Sequence, residues 1–294
     1  MPPQAENRAE NGLLLGNRVF RWLLLGAIVL LALLLRIYRL DEQSAWADEC
    51  NFYFLRLPDF GAYMGIMRFW APDNLPLYYP LLWGWSRVFG TSLVACRMMC
   101  IVAGLATVLL AYGLGRRLYG TQAGLLAALC VALSPFQIWH AQSMRPYGLC
   151  VPLVIFAFYA LERAREQRWW WVAALVSNAL LLWLHVLMCF VLPLQCLFVL
   201  GAYRHGLRKA VAWAAAQLAV ILPPIVWLLP RLANVPQAAY DHYADPGLMD
   251  VLVDCLGDDV FAWSSEFPVA PAPWTPVLRD YEAWLTVSGG FLML

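Results

Sequence analysis

The chain has 294 residues, of which 62% are hydrophobic and only 13% charged, with a mean hydropathy of +0.62. A soluble globular domain runs at roughly half apolar and about 25% charged, so this composition excludes that class. The formal net charge of +1 says nothing about nucleic acid; no basic stripe interleaved with aromatics is present, and no nucleic-acid partner is expected.

Several apolar runs reach the roughly 18 residues that cross a hydrocarbon core. The short alternating segments of a membrane β-barrel are absent. The expected fold class is therefore an all-α polytopic membrane protein. Six of the eight cysteines, Cys96, Cys100, Cys130, Cys150, Cys189 and Cys196, lie in or beside apolar runs, where a thiol is a small hydrophobe. Cys50 and Cys255 both fall in segments assigned to the outer face, and a bridge between them stays open. No Cys/His spacing reads as a zinc site. The reading requires no cofactor; a divalent metal is possible but not indicated.

Residues 1–18 are polar, and a disordered cytoplasmic N-terminus is expected there. Val19 to Ile37 reads as a retained first helix. Ala45-Trp46-Ala47 has the small-residue pattern of a signal cleavage site, but the stretch from Arg36 to it is too long and too charged for one. Arg36 to Ser92 is a long polar interruption. Within it Ser44 is a candidate N-cap, and Asp48 and Glu49 sit in the first turn that follows. Trp46, Cys50, Tyr53 and Leu57 recur at helical spacing and predict a short interfacial amphipathic helix. Pro58-Asp59 ends it and caps a second, with Phe60, Met64 and Met67 on one side. Leu81 to Phe89, with Arg87 inside, is too short to cross.

Clear spans are read at Leu93–Leu114, Gly124–Trp139, Tyr147–Leu161, Trp169–Leu184, Val186–Tyr203 and Ala210–Leu229. Basic connectors alternate between them at Gly115-Arg116-Arg117, Glu162–Arg168 and Arg204–Lys209. The positive-inside rule places these connectors and the N-terminus in the cytoplasm. Residues 36–92 and 140–146, His185 and the Pro-, Asp- and Trp-rich loop 236–280 then face outward. Residues 281–294 look like the start of a further transmembrane helix, and the chain is read as a fragment or truncated product.

This topology brings Asp48-Glu49, Asn74–Tyr79 and His140–Tyr147 to helix ends on one side. Arg145 opens a span, where an arginine is expensive and usually partnered. A guanidinium fork there suits a phosphate or a carboxylate, and Asp48 or Glu49 is the alternative, purely structural partner. His185, at the outer end of its helix, reads either as a satisfied histidine or as a site residue.

Arg36-Ile37-Tyr38-Arg39-Leu40, Asp48-Glu49, Pro76-Leu77-Tyr78-Tyr79, Gly115-Arg116-Arg117-Leu118-Tyr119-Gly120, Leu133-Ser134-Pro135-Phe136, Gln142 to Tyr147 and Leu184-His185 form an ordered series. The series resembles the GT-C-fold glycosyltransferases that use polyprenyl-phosphate-linked sugars, in the branch of protein-mannosyltransferase-like and lipid A aminoarabinose transferase-like enzymes. The resemblance spans about residues 19–235 and implies a catalytic transmembrane module there. It implies inverting transfer, with Asp48 as base, Glu49 orienting Asp48 or the acceptor, and Arg145 holding the donor phosphate. Trp46, Asn74, Tyr78, Tyr79, His140, Gln142, Tyr147 and His185 would contact substrate. The implied partners are a polyprenyl-phosphate-linked donor, a lipid, glycan or protein acceptor, and membrane lipids. The implied place is a bacterial inner membrane, with the site on the periplasmic face of the cell envelope. Two steps depart from the family. Asn74-Leu75-Pro76 stands where members often read His-Pro-Pro, and Gln142-Ser143-Met144-Arg145 stands where they often read Gln-Glu-Ala-Arg. A catalytically inactive lipid-phosphate-binding relative and a membrane transporter are the competing readings.

Overall fold

The computed structural model describes residues 18–42, 45, 47–70, 75–203 and 206–232. The expectations for the N-terminal 17 residues, the Ser44 cap, Trp46, Asn74, the Cys50–Cys255 pairing, the 236–280 loop and the 281–294 helix lie outside the described residues. Within them, all regular structure is helical, as the composition predicts.

Helix α1 (Arg18–Ile37) buries Leu25, Ile28, Ala32 and Arg36 along one stripe and turns Trp22, Leu23, Leu30 and Leu34 outward. That is the apolar exterior of a helix in lipid. The next element is a 3-10 segment (Ala47–Arg56), not the amphipathic α-helix predicted from Trp46, Cys50, Tyr53 and Leu57. Its three-residue turn puts Glu49 and Leu55 on one side, and both are buried, whereas Tyr53 is exposed. Helix α2 (Phe60–Trp70) starts as expected: Asp59 Oδ2 accepts the Ala62 N–H at 2.6 Å. Met64 and Met67 are buried, while Phe60 stays exposed with its ring 5.0 Å from that of Trp83.

Helix α3 (Tyr78–Phe89) does not cross. The Leu77 N–H donates to Trp183 O, Trp85 Nε1 donates to Ala95 O at 2.7 Å, and Arg87 donates to Leu55 O and Leu57 O. Both ends of α3 thus stay at one end of the bundle.

Helix α4 (Leu93–Tyr119) has 27 residues and is capped by Ser92, whose Oγ accepts the Ala95 N–H. It runs straight through Gly115-Arg116-Arg117, so that triplet is the last part of a helix and not a connector. The turn is Gly120, at a φ of +91° that suits glycine, and α5 (Thr121–Leu133) folds back against α4. The return is so close that a Cβ on Gly124 would lie 2.7 Å from Tyr112 O.

The single span predicted over Gly124–Trp139 is in fact two helices. α5 ends at Ser134, and α6 (Pro135–Gln142) leaves at 57°. Proline causes the break, because Pro135 has no N–H to give the carbonyl of Val131. In an apolar medium an unsatisfied carbonyl costs several kcal/mol. Arg36, wholly buried, meets that need: its guanidinium donates to Val131 O at 3.1 Å and Ala132 O at 3.2 Å. Gly104 on α4 leaves the room, since a Cβ there would meet Arg36 Nε at 3.0 Å.

The remaining helices are α7 (Tyr147–Arg163), α8 (Trp170–Leu184), a 3-10 turn (Val186–Phe190), α9 (Val191–Ala202) and α10 (Gly206–Leu232). By length and composition α1, α4 and α10 can cross a membrane, and the bent α5–α6 pair makes up to four. α7, α8 and α9 have 17, 15 and 12 residues, short of the ~20 of a full crossing; α7 runs two residues past the span read from sequence, whereas α8 and α9 fall short of theirs. Extended backbone at His185 stops α8. The chain nevertheless alternates between two bundle ends. Arg117 meets Glu162 and Glu166, and Trp171 meets Tyr203 and Trp213, at one end; Trp183 meets Trp227 and Tyr147 meets His185 at the other.

Helices α8, α9 and α10 are tied by buried amides. Asn178 Nδ2 donates to Gln195 Oε1 at 2.7 Å and Gln217 Oε1 at 3.1 Å, and Gln195 Nε2 returns a bond to Asn178 Oδ1 at 2.9 Å. Interhelical bonds of this kind contribute about 0.6–2 kcal/mol each. Asn178→Leu removes all three and leaves two buried amides unpaired. It should lower the unfolding midpoint of the purified protein in detergent, by the equivalent of about 1–3 kcal/mol; an unchanged midpoint would mean the network is dispensable.

Candidate functional site

The end of the bundle that holds the 3-10 segment is assembled around a buried ion pair. Arg97 Nη2 donates to Glu49 Oε2 at 2.7 Å, with both side chains almost fully buried. The second guanidinium nitrogen, Nη1, donates to Leu40 O at 3.1 Å, and the other carboxylate oxygen of Glu49 accepts the Met144 N–H. Four elements therefore meet in one network: the end of the α1 linker, the 3-10 segment, the first turn of α4 and the turn before α7. Gln142 adds a parallel tie, its Nε2 donating to Arg36 O at 3.1 Å and Tyr38 O at 3.0 Å.

The turn held by Met144 carries Arg145. Cys100 Sγ lies 3.5 Å from Arg145 O, and Gly148 packs so close to Cys100 that a Cβ would sit 3.0 Å from its Cβ. The half-buried Arg145 guanidinium lies 5.5 Å from the centroid of the Tyr147 ring. From Tyr147 the aromatic surface continues both ways, 4.8 Å to His185 and 5.3 Å to His140; Phe136 lies 4.2 Å beyond His140. His185 Nδ1 accepts the Leu187 N–H at 3.3 Å, so the proton of the neutral ring sits on Nε2. One cation, two imidazoles and a phenol thus form a continuous strip. Among the described residues no three His, Cys, Asp or Glu side chains gather as a metal set.

The sequence-derived site residues fare differently. Arg145, Tyr147, His140 and His185 come together. Gln142 is a buried tie between α6 and the end of α1. Glu49 is wholly buried and engaged by Arg97, which decides which arginine it partners. Asp48 has its backbone in the 3-10 segment, and its side chain lies outside the described residues, with Trp46 and Asn74. Tyr78 and Tyr79 are buried in the core beside Tyr63, Cys96 and Met99. Burial, with Cys100, Tyr63, Glu49 and Cys96 close by, holds the Tyr78 hydroxyl well above the usual tyrosine range, so it stays protonated. Among the described residues that hydroxyl has no hydrogen-bond partner.

Two residues that organise this end were not singled out from sequence as site residues: Arg97 and Arg36. Each is a lone cation in or at the end of an apolar run, and that alone predicts a buried partner.

Removing one member of a buried ion pair leaves an uncompensated charge, at about 3–5 kcal/mol. Glu49→Gln and Arg97→Gln should each lower thermal stability strongly. The neutral pair Glu49→Gln/Arg97→Met should recover much of that loss. Equal, additive losses in the double variant would show that the two side chains do not form this pair.

The family model described as dolichyl-phosphate-mannose-protein mannosyltransferase matches residues 72–227, more than half of the chain. Among curated proteins none matches. The matched stretch holds Arg97, Arg145, the aromatic strip and every helix from α3 to within a few residues of the end of α10. The all-helical polytopic architecture accords with the GT-C type of that family, and the chain belongs to the dolichyl-phosphate-mannose-protein mannosyltransferase family.

Proposed function

We propose that the chain is a membrane glycosyltransferase that moves a sugar from a polyprenyl-phosphate-linked donor to an acceptor, with inversion, at the end of the bundle that carries Arg145. The observation that carries this reading is the Glu49–Arg97–Met144 network. It fastens the segment containing Asp48 and the turn containing Arg145 to the same helix, α4. A base and a phosphate-binding cation are what a single-displacement transfer requires.

In this mechanism the Arg145 guanidinium binds the donor phosphate and stabilises the negative charge that grows on it as the sugar–oxygen bond breaks. The acceptor oxygen attacks the anomeric carbon from the opposite face. Its proton passes to Asp48, and the bonding pair of the broken bond leaves with the phosphate. General-base assistance of this kind contributes roughly 10²–10⁴ in rate. Glu49, buried and paired, positions the segment and takes no proton. Tyr147, His140 and His185 offer the sugar a stacking face with ring N–H and O–H donors. The basic connectors at the other end of the bundle support an outward, periplasmic placement of this site in a bacterial inner membrane.

Three outcomes test the reading. Asp48→Asn should abolish release of free polyprenyl phosphate from labelled donor in membranes while donor binding survives; full release would remove Asp48 as base. Arg145→Ala should weaken donor binding about 10–100-fold, as loss of a charge-assisted contact predicts, and Arg145→Lys should restore only part, because a point charge replaces a fork. Unchanged binding in Arg145→Ala would make that residue structural. In a cysteine-free background, Glu42→Cys should react with an impermeant thiol reagent from outside the cell and Glu166→Cys should not; the reverse pattern would invert the site's placement.

A further inference from the structure

The other end of the bundle contains a cavity of about 240 Å³, lined by Arg18, Arg21, Trp22, Tyr112 and Arg116. It forms where the start of α1 passes the last turns of α4, and the Trp22 and Tyr112 rings, 6.5 Å apart, make its apolar wall. Three guanidiniums face it and, among the described residues, no carboxylate lines it. Nearby cations at the same end behave otherwise. Arg117 pairs with Glu162 and Glu166, Arg163 with Glu166, and Arg165 with Glu162. Among the described residues Arg18, Arg21 and Arg116 have no such acid; Arg21 donates to the Thr121 hydroxyl at 3.4 Å. Three like charges around one small cavity repel one another unless an anion sits among them.

Two further observations define that anion. Trp22 is 56% exposed, on the α1 face that also turns out Val19 at 65% and Leu23 at 67%. The cavity therefore opens beside a surface suited to acyl chains, with an aromatic ring at the level where tryptophans favour the membrane interface. The occupant has an anionic head and an apolar body. In addition, Arg18 and Arg36 mark the two ends of α1, about 27 Å apart at 1.5 Å per residue, close to the thickness of a hydrocarbon core. The cavity and the Arg145 strip belong to opposite leaflets.

We propose that the Arg18–Arg21–Arg116 cavity binds the phosphate headgroup of an anionic glycerophospholipid from the leaflet opposite the Arg145 site. Basic pockets between transmembrane helices hold such headgroups through charge and fork geometry. A bound lipid would offset part of the positive charge of the three arginines and fasten α1 to the α4–α5 hairpin.

The test uses the purified full chain in detergent, with bound lipid counted by native mass spectrometry after titration with phosphatidylglycerol or phosphatidylcholine. The expected result is one tightly retained phosphatidylglycerol and no comparable phosphatidylcholine. Arg18→Gln/Arg116→Gln should weaken retention roughly 30-fold, at about fivefold for each cationic side chain removed. Arg165→Gln/Arg168→Gln, at the same end but outside the cavity, should leave it unchanged. Should the Gln pair fail to fold, Arg18→Lys/Arg116→Lys carries the test, with retention weakened only severalfold and phosphatidylglycerol still preferred. Equal retention by the parent and the Gln pair, no preference for the anionic lipid, or equal loss in the Arg165/Arg168 control would each overturn the proposal. Displacement of the lipid by inorganic phosphate at matched concentration would also overturn it, assigning the cavity to a free anion.

Discussion

Glu49 and Arg97 lie side by side out of water, and the bundle end that carries the site is arranged to make that tolerable. Desolvating two ions costs several kcal/mol each, and their mutual attraction offsets this only when the remaining donors and acceptors are also met. Here they are met by backbone: the Leu40 carbonyl on one side and the Met144 N–H on the other. Satisfying the pair therefore requires the α1 linker, the 3-10 segment, α4 and the turn before α7 to stand in one relation. The ten residues of 3-10 helix are held against the bundle by that requirement and by Leu55 and Phe54, which pack into the core.

The kink at Pro135 follows the same logic. A proline frees carbonyls at the end of α5, and Arg36 reaches from α1 to occupy them. The freed backbone lets α6 turn away and present His140, while Gln142 at its end bonds back to the α1 linker. Arginine thus joins elements at this end twice, through Arg36 and Arg97, and a third arginine, Arg145, stands over the aromatic strip. At the opposite end the cations form a surface ion-pair network around Arg117, where the exposed Glu166 carboxyl is held below its usual range chiefly by its hydrogen bond to Arg117.

Much of the architecture was legible in the sequence because its signals are one-dimensional. Long apolar runs gave the first helix to within one residue, and the alternation of basic connectors gave the two bundle ends. The shortness of the Leu81–Phe89 run predicts a helix that does not cross, and Asp59 predicts a cap; α3 and the Asp59–Ala62 hydrogen bond match both. The misses have physical causes. Gly115-Arg116-Arg117 reads as a connector because charge usually ends an apolar run, yet the helix continues five residues past Leu114, to Tyr119, before Gly120 caps it. The 47–56 segment showed a 3.6-residue pattern, but a buried carboxylate selected a tighter winding. The Gly124–Trp139 run hid a proline break that only an arginine from another helix makes affordable. The pairing of Glu49 with Arg97, 48 residues away, has no local signature; only the general cost of a cation inside an apolar run pointed to it. For the site, the aromatic strip around Arg145 was anticipated through family likeness, while the residues that fix it in place were not.

The central claim is that the Glu49–Arg97 network acts on the donor site by positioning the Arg145 turn. The most direct measurement is a double-mutant cycle on donor affinity. It compares the parent, the clamp-less pair Glu49→Gln/Arg97→Met, Arg145→Ala, and the three changes together, each checked for folding. The account predicts strong non-additivity: once Arg145 is gone, removing the clamp should weaken donor binding little further. Simple additivity of the two losses would contradict it, and would separate the buried ion pair from the site it is held here to build.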